Sequence, residues 1–153
     1  WALGAGFVRN LIWDHLHQKA EPTPLNDIDL IYLDPSDPEG VGEREYEAWL
    51  RIRLPDQRWE VRNQARMHVR QQVPPFASSL EALSHWVEVP TCIGVRLLAN
   101  DEFEWLAPHG FGHNWSLQVS ANPRCRQESR IFIDRIRDKQ WQRIWPDLVV
   151  NWP

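Results

Sequence analysis

The chain of 153 residues contains little sulfur, with one methionine and two cysteines, Cys92 and Cys125. The cysteines are far apart and lack the spacing of metal ligands, so we expect two free thiols in a reducing cytoplasm rather than a disulfide framework or a zinc site. No apolar run approaches the roughly 20 residues that a membrane-spanning helix needs, and no secretory signal is visible. The sequence therefore predicts a cytoplasmic protein without a membrane partner.

A strong net charge of either sign is also absent, since the formal net charge is -4. This balance gives the chain no overall attraction to nucleic acid or to an anionic membrane. What the chain has in excess is tryptophan, with ten residues that we expect to anchor a compact core. Its length indicates a single domain over residues 1–153.

Strand and helix patterns alternate along the chain. Residues of strand type follow one another at 26–33, 58–62, 91–98 and 102–106, and the last two segments are joined by a turn that predicts a hairpin. Apolar residues at helical spacing, together with capping residues, predict helices at about 7–18, 43–53, 63–70, 78–86, 112–119 and 129–145.

Two carboxylates, Asp27 and Asp29, stand at the head of the apolar strand predicted at 26–33. Side chains alternate along a strand, so the two acids share a face and lie about 6.6 Å apart. Like charges this close repel each other, and a divalent cation would relieve the repulsion. Oxygen ligands suit Mg²⁺ or Mn²⁺. The alternative is a pair of solvated acids in a turn ahead of the strand.

A glycine turn, with Gly4 and Gly6, leads into the first predicted helix. A helix start presents free N–H groups and the positive end of the helix dipole, so the turn can cradle a phosphate group or can simply connect two elements. Arg9 falls in the first helical turn. It is a candidate for a phosphate contact or for a salt bridge to the strand that carries the acids.

A third acid, Glu60, lies between Trp59 and Val61 in the strand predicted at 58–62. The two apolar neighbours point inward, so Glu60 points to the opposite face. Three carboxylates and a phosphate cradle are what two-metal phosphoryl or nucleotidyl transfer requires. In that chemistry Asp27 and Asp29 would hold the metal ions, and Glu60 would complete the site and orient or deprotonate the attacking hydroxyl.

The same segments resemble a bacterial nucleotidyltransferase-like family of unassigned substrate, within the DNA polymerase β-like superfamily. The resemblance is carried by GAGFVRN at 4–10, PLNDID at 24–29 and WEVRNQARMH at 59–68, and it continues through IGVRL at 93–97 to Lys139, Trp141 and Trp145. The stretch 4–10 also resembles the head of the tRNA CCA-adding enzymes. One departure concerns Ala5, which stands where many superfamily members have a serine whose hydroxyl contacts phosphate.

The resemblance implies an α/β (α+β) fold in which a mixed β-sheet is flanked by helices. Within the single domain we expect a catalytic core at about 1–70 and a C-terminal hairpin with helices at about 78–153. The resemblance also implies transfer of a nucleoside monophosphate from a nucleoside triphosphate to an unidentified small molecule, protein or RNA. It further implies two Mg²⁺ (or Mn²⁺) ions, for which we expect Asp27, Asp29 and Glu60 as ligands, with Gly4, Gly6 and Arg9 as the phosphate-binding residues.

Two other functions fit the same residues. One is a module that binds nucleotide or metal without transferring anything, and the other is a toxin–antitoxin type modifier of a protein or tRNA. A basic C-terminal stretch adds a possible RNA-binding face, although interleaved acids favour a solvated helix surface. Its basic residues are Arg124, Arg126, Arg130, Arg135, Arg137, Lys139 and Arg143, and its acids are Glu128, Asp134 and Asp138.

Overall fold

A computed structural model of the chain describes residues 1–125 and 129–153. Its main sheet has five strands in the order β3-β2-β1-β4-β5. The β2–β3 pair is parallel and the other three pairs are antiparallel. The strands are β1 (Ala2–Gly4), β2 (Ile28–Tyr32), β3 (Trp59–Asn63), β4 (Gly94–Leu97) and β5 (Phe103–Leu106).

Helices flank this sheet, which confirms the predicted α/β (α+β) class with a mixed sheet. They are α1 (Gly6–Leu16), α2 (Val41–Arg53), α3 (His68–Gln71), α4 (Ser79–Leu83), α5 (Gly112–Trp115), α6 (Ser129–Lys139) and α7 (Trp141–Ile144). A small parallel sheet joins β6 (Gln118–Ser120) to β7 (Val149–Asn151). Within residues 1–125 and 129–153, no helix is long and apolar enough to cross a membrane.

Helix α1 lies between the main sheet and the C-terminal helices. Val8 and Ile12 pack with Ile93 and Val95 on the sheet side. Trp13 belongs to a second cluster, formed with residues of α6, α7 and the small sheet: Val119, Phe132, Ile136, Trp141, Trp145 and Leu148. Burial of apolar surface on both sides therefore holds α6 and α7 against the N-terminal part of the chain.

Two predicted helices are wrong in extent. The helix expected at 129–145 is interrupted at Gln140, which has φ 48°, and the interruption lets both Trp141 and Trp145 point into the Trp13 cluster. The helix expected at 112–119 ends at Trp115, because the chain turns through Leu117, with φ 56°, into β6. The pairing of β6 with β7, about 30 residues further along the chain, outweighs the local helical pattern.

The expectation that the tryptophans form the core holds for only part of them. Five are more than half exposed: Trp1, Trp49, Trp105, Trp115 and Trp152. On α2 the predicted apolar side faces solvent, because the helix contacts β3 through carboxylates. The N–H groups of Val61 and Asn63 donate to Glu47 Oε2 at 3.2 Å and to Glu43 Oε1 at 2.8 Å.

Candidate active site

The structure places the three predicted acids near one another at one end of β2, although only Asp29 and Glu60 lie within strands of the sheet. Asp29 lies in β2, and Asp27 immediately precedes that strand rather than lying within it. In the parallel β2–β3 pair, Glu60 is the register partner of Asp29. Directly opposed residues of neighbouring strands share a face of the sheet, so Glu60 and Asp29 are side by side.

A cleft of about 520 Å³ opens in front of two of these acids, Asp27 and Asp29. Gly6 and Arg9 of α1 also line it, whereas Gly4 and Glu60 do not. The remaining basic lining residues come from α3 and from the C-terminal helix α6, and they are Arg70, Arg135 and Lys139. The cleft thus places acids of the sheet together with basic side chains of three helices.

The glycine turn lies beside Asp29. Leu3 pairs with Leu30 in the antiparallel β1–β2 ladder, and continuing that register by one residue places Gly4 opposite Asp29. A Cβ on Gly4 would stand 3.2 Å from Trp86 Cη2, so this glycine permits close packing of a cleft-lining ring. Gly6 begins α1, and its position presents the helix start to the cleft.

Ala5, between the two glycines, adopts φ 45° and ψ −111°, a left-handed conformation that favours glycine. Its N–H donates to the Ile93 carbonyl at 2.9 Å, which fixes the turn against the strand region of β4. A strained residue of this kind persists only where its surroundings hold it in place, and such residues cluster at functional sites.

Arg9 is 8% exposed, and its guanidinium carbon lies 4.4 Å from the Trp141 ring centroid and 5.0 Å from that of Trp13. Its Nη2 donates to Asn10 Oδ1 at 2.9 Å. Among the described residues no carboxylate lies within 4.0 Å of Arg9, so the alternative of a salt bridge to the acid-bearing strand is wrong. Burial lowers the pKa of Arg9 to about 10, against the opposing effect of nearby acids. The residue is therefore a buried cation at the cleft wall.

The acids act on one another through their charges. Burial, followed by the charges of Asp27 and Glu60, raises the pKa of Asp29 to about 6. Arg9 and Lys139 oppose this rise but do not cancel it. A cation bound between the carboxylates would remove the repulsion and favour the ionised form of Asp29.

The donor set fits Mg²⁺ or Mn²⁺ with two cleft carboxylates as protein ligands. In the described residues, no group of three His, Cys, Asp or Glu side chains is close enough to hold a metal ion together. Glu60 is half-exposed, and its Oε2 lies 3.5 Å from Arg62 Nη2. Mg²⁺ commonly takes one or two protein carboxylates and completes its shell with water and substrate phosphates, so Asp27 and Asp29 would suffice as protein ligands of such an ion.

Asp14 of α1 is a structural support of the site that sequence reasoning missed. Its Oδ2 accepts from the Thr23 N–H at 2.6 Å, and its Oδ1 accepts from Trp145 Nε1 at 2.7 Å. The pKa of Asp14 is lowered because these hydrogen bonds, with those of the Thr23 hydroxyl and the charge of Lys19, outweigh burial. Asp14 thus ties the loop that leads to Asp27 to both α1 and α7, and nothing in its local sequence pattern distinguishes it from a surface acid.

The other residues missed from sequence are the cleft-facing cations of α6. Arg135 and Lys139 are four residues apart, on one face of α6, with Ile131 one turn earlier on the same face. Arg130, Arg137 and Arg143 are exposed, in agreement with the expected solvated surface, whereas Arg126 and Glu128 lie outside the described residues. The spacing of Arg135, Lys139 and Ile131 was the available signal, but only the tertiary packing shows that this face is turned inward.

A mixed sheet with paired acids at the head of one strand, beside a glycine turn that begins a helix, defines the nucleotidyltransferase class of fold. A solved NMR structure described as revealing a CCA-adding enzyme head domain superposes with a TM-score of 0.81 and 31% sequence identity, over 99% of this chain and 81% of the other. The sequence model of the nucleotidyltransferase family matches residues 1–150. The chain belongs to this family of transferases, which confirms the resemblance found in its sequence. No curated protein matches the chain.

Proposed function

We propose that the chain transfers a nucleoside monophosphate from a nucleoside triphosphate to an acceptor, with two Mg²⁺ (or Mn²⁺) ions held at Asp27 and Asp29. The observation that carries this proposal is the pair of acids in one cleft with four basic side chains, beside the start of α1. The cleft volume of about 520 Å³ is within the range of small-molecule sites. Glu60, the register partner of Asp29, is proposed as the third carboxylate.

The reaction forms a bond between an acceptor oxygen and the α-phosphorus, and it breaks the bond between that phosphorus and the bridging oxygen of the leaving pyrophosphate. When bound, the metal ions supply charge neutralisation and polarise the acceptor hydroxyl. Asp27 and Asp29 would hold the ions, and the start of α1 at Gly6, which lines the same cleft, would face the phosphate chain. Glu60, the register partner of Asp29, would orient the acceptor hydroxyl and receive its proton, a role for which its side chain would have to leave its contact with Arg62.

A second candidate function, binding of nucleotide without transfer, is favoured by two specific features. Ala5 provides no hydroxyl for a phosphate contact, and its own N–H is already bonded to Ile93. In addition, Glu60 contacts Arg62, and it does not line the cleft. An acceptor that is a protein or a tRNA would leave the proposed chemistry unchanged, since only the attacking hydroxyl would differ.

The test measures transfer and binding separately. Each α-labelled nucleoside triphosphate is incubated with the protein, Mg²⁺ and pools of small molecules, RNA or protein, and calorimetry measures nucleotide binding by the same preparation. We expect the wild type to transfer the label. The Asp27→Asn/Asp29→Asn variant should lose this transfer, and an Asp56→Asn control should retain it. Asp56 is exposed in the turn after α2, which makes it a matched carboxylate outside the cleft.

Two other outcomes decide against the enzyme. Tight nucleotide binding without transfer in any pool would establish the binding function instead. A wild type that binds no nucleoside triphosphate in the presence of Mg²⁺ would overturn both functions.

A further inference from the structure

The side chain of Glu88 is fully buried at the back of the cleft. Its Oε1 accepts from Arg135 Nε at 2.5 Å, and its Oε2 accepts from Arg135 Nη2 at 3.3 Å and from the Thr91 hydroxyl at 3.1 Å. A buried carboxylate that has lost its hydration is strongly destabilising unless it is paired with a cation and hydrogen-bonded. Breaking the contact with Arg135 would therefore be costly, and this cost holds the guanidinium in place. Glu88 therefore sets the position of Arg135.

Arg135 lines the cleft, and Glu88 accepts hydrogen bonds from only part of its guanidinium. Arg135 remains 42% exposed, and none of the described residues accepts a hydrogen bond from its Nη1. Burial lowers the pKa of Arg135, but the hydrogen bonds and charge of Glu88 outweigh burial, and Asp29 contributes in the same direction. Arg135 and Asp29 thus face the same space from α6 and from β2.

Lys139 follows Arg135 by one helical turn and also lines the cleft. Its charge acts on Asp29 as well. Within residues 1–125 and 129–153, Lys139 has no carboxylate within 4.0 Å, whereas Arg130 on the outer side of α6 lies 3.6 Å from Asp134. Helix α6 therefore has outer charges that are solvated or paired, and two inner cations that share the cleft with Asp27 and Asp29 and have no ion pair with either acid among the described residues.

A ligand that contacts both α6 and the acids must be negatively charged where it meets Arg135 and Lys139. Where it meets Asp27 and Asp29, it must be accompanied by cations. A nucleoside triphosphate with divalent metal has this charge distribution along its phosphate chain. Arginine offers fixed donors for phosphate oxygens and lysine offers a mobile point charge, which together suit the terminal phosphates. The start of α1 at Gly6 lies in the same cleft and is the natural contact for phosphate.

We propose that Arg135 and Lys139 bind the β- and γ-phosphates of the nucleoside triphosphate, and thus the pyrophosphate that leaves, with Glu88 as the residue that positions Arg135. The assignment rests on the proposed function, because it names the part of the same site that holds the leaving group. It places the phosphate-binding cations on the C-terminal helix, so the cleft is complete only when α6 is docked.

The test measures binding of inorganic tripolyphosphate, of a nucleoside triphosphate and of the matching nucleoside monophosphate to the full chain with Mg²⁺. Arg135→Gln and Lys139→Gln are each expected to weaken binding of tripolyphosphate and nucleoside triphosphate about tenfold, the size of one charge-assisted contact. Binding of the monophosphate should change little. Arg137→Gln, from the outer side of the same helix, is the matched control and should bind all three like the wild type.

The outcomes separate this inference from the proposed function. A wild type that binds neither triphosphate defeats the proposed function itself. Wild-type affinity for nucleoside triphosphate in both Arg135→Gln and Lys139→Gln overturns only the phosphate assignment. An equal loss in Arg137→Gln also overturns it, because the effect would then reflect overall charge.

Glu88→Gln tests the positioning role. This variant keeps the size of the side chain but removes the charge that holds Arg135, so triphosphate binding should weaken while monophosphate binding is retained. Equal weakening for both ligands would mean that Glu88 only supports the fold, and it would overturn the positioning role. The near-UV spectrum of the tryptophans checks that the variant is folded.

Discussion

Replacing Asp29 with asparagine is expected to stabilise the metal-free protein at neutral pH. Asp29 is held beside Asp27 and Glu60, and its pKa lies at about 6 instead of the usual 3.8. When the pKa of a carboxyl group is higher in the folded state than in the unfolded state, ionisation of that group lowers the free energy of unfolding. Asparagine has nearly the same shape and never carries the charge.

The size of the effect follows from the pKa. A difference of about 2 pKa units, at about 1.4 kcal/mol each, gives roughly 3 kcal/mol as the upper limit, because solvent screens part of the interaction. For the wild type, the free energy of unfolding should decrease as pH rises from about 4 to about 6, because Asp29 becomes ionised over this range in the folded protein. Above about pH 6 the full cost of the ionised carboxylate is present. The variant lacks this decrease, so the two proteins should differ little at about pH 4 and most above about pH 6.

Urea unfolding in EDTA, followed by tryptophan fluorescence at about pH 4 and about pH 7.5, measures the difference. The Asp56→Asn variant is the control and should match the wild type at both pH values. Addition of Mg²⁺ should then stabilise the wild type more than the Asp29→Asn variant, by mass action on the bound state. Equal or lower stability of Asp29→Asn at the higher pH in EDTA would refute the electrostatic reasoning.

Three further predictions concern backbone strain and thiol reactivity. Ala5→Gly should raise the free energy of unfolding by about 1 kcal/mol, because the backbone strain relieved at this positive φ exceeds the extra conformational entropy that glycine loses on folding. An unchanged urea midpoint would contradict this. Gln140→Gly should stabilise by roughly 0.5–1 kcal/mol in the same assay, since the residue that ends α6 has φ 48°; destabilisation would argue against that turn. Burial raises the pKa of Cys92 to about 12. In a Cys125→Ser variant, Cys92 should therefore react with a thiol reagent only after unfolding. Fast labelling of the native variant would contradict the burial of Cys92.

The elements that sequence predicted well are those whose pattern is local. Trp59 and Val61 are buried and Glu60 is not, as strand alternation requires. Ser78 accepts from the Glu81 N–H at 3.1 Å and so caps α4, in the segment 78–86 where capping residues predicted a helix. The glycine turn likewise leads directly into α1. Each of these depends on a few consecutive residues, which is why the acid strand and the glycine turn could be recognised from the sequence.

Contacts between segments that are distant in the chain could not be predicted from the sequence. Glu88 meets Arg135 across 47 positions of the chain, and this pair acts together with the buried Phe132 and Ile136 to turn the cations of α6 toward the cleft. Trp49 was expected in the core, but it is 53% exposed, because the side of its helix that meets β3 carries Glu43 and Glu47, which accept from the N–H groups of that strand. Amphipathic periodicity reports which face of a helix is apolar, and it does not report which partner that face meets.

The attachment of α2 to β3 has a consequence for how copies of the chain can meet. β3 is an edge of the main sheet, and an edge strand exposes N–H groups that another chain could pair with. Here Glu43 and Glu47 accept from two of those groups, so a foreign strand would first have to displace two carboxylates. Growth of the sheet by strand addition is thereby blocked at the edge next to Glu60, and β5 at the opposite edge is the place where it could occur.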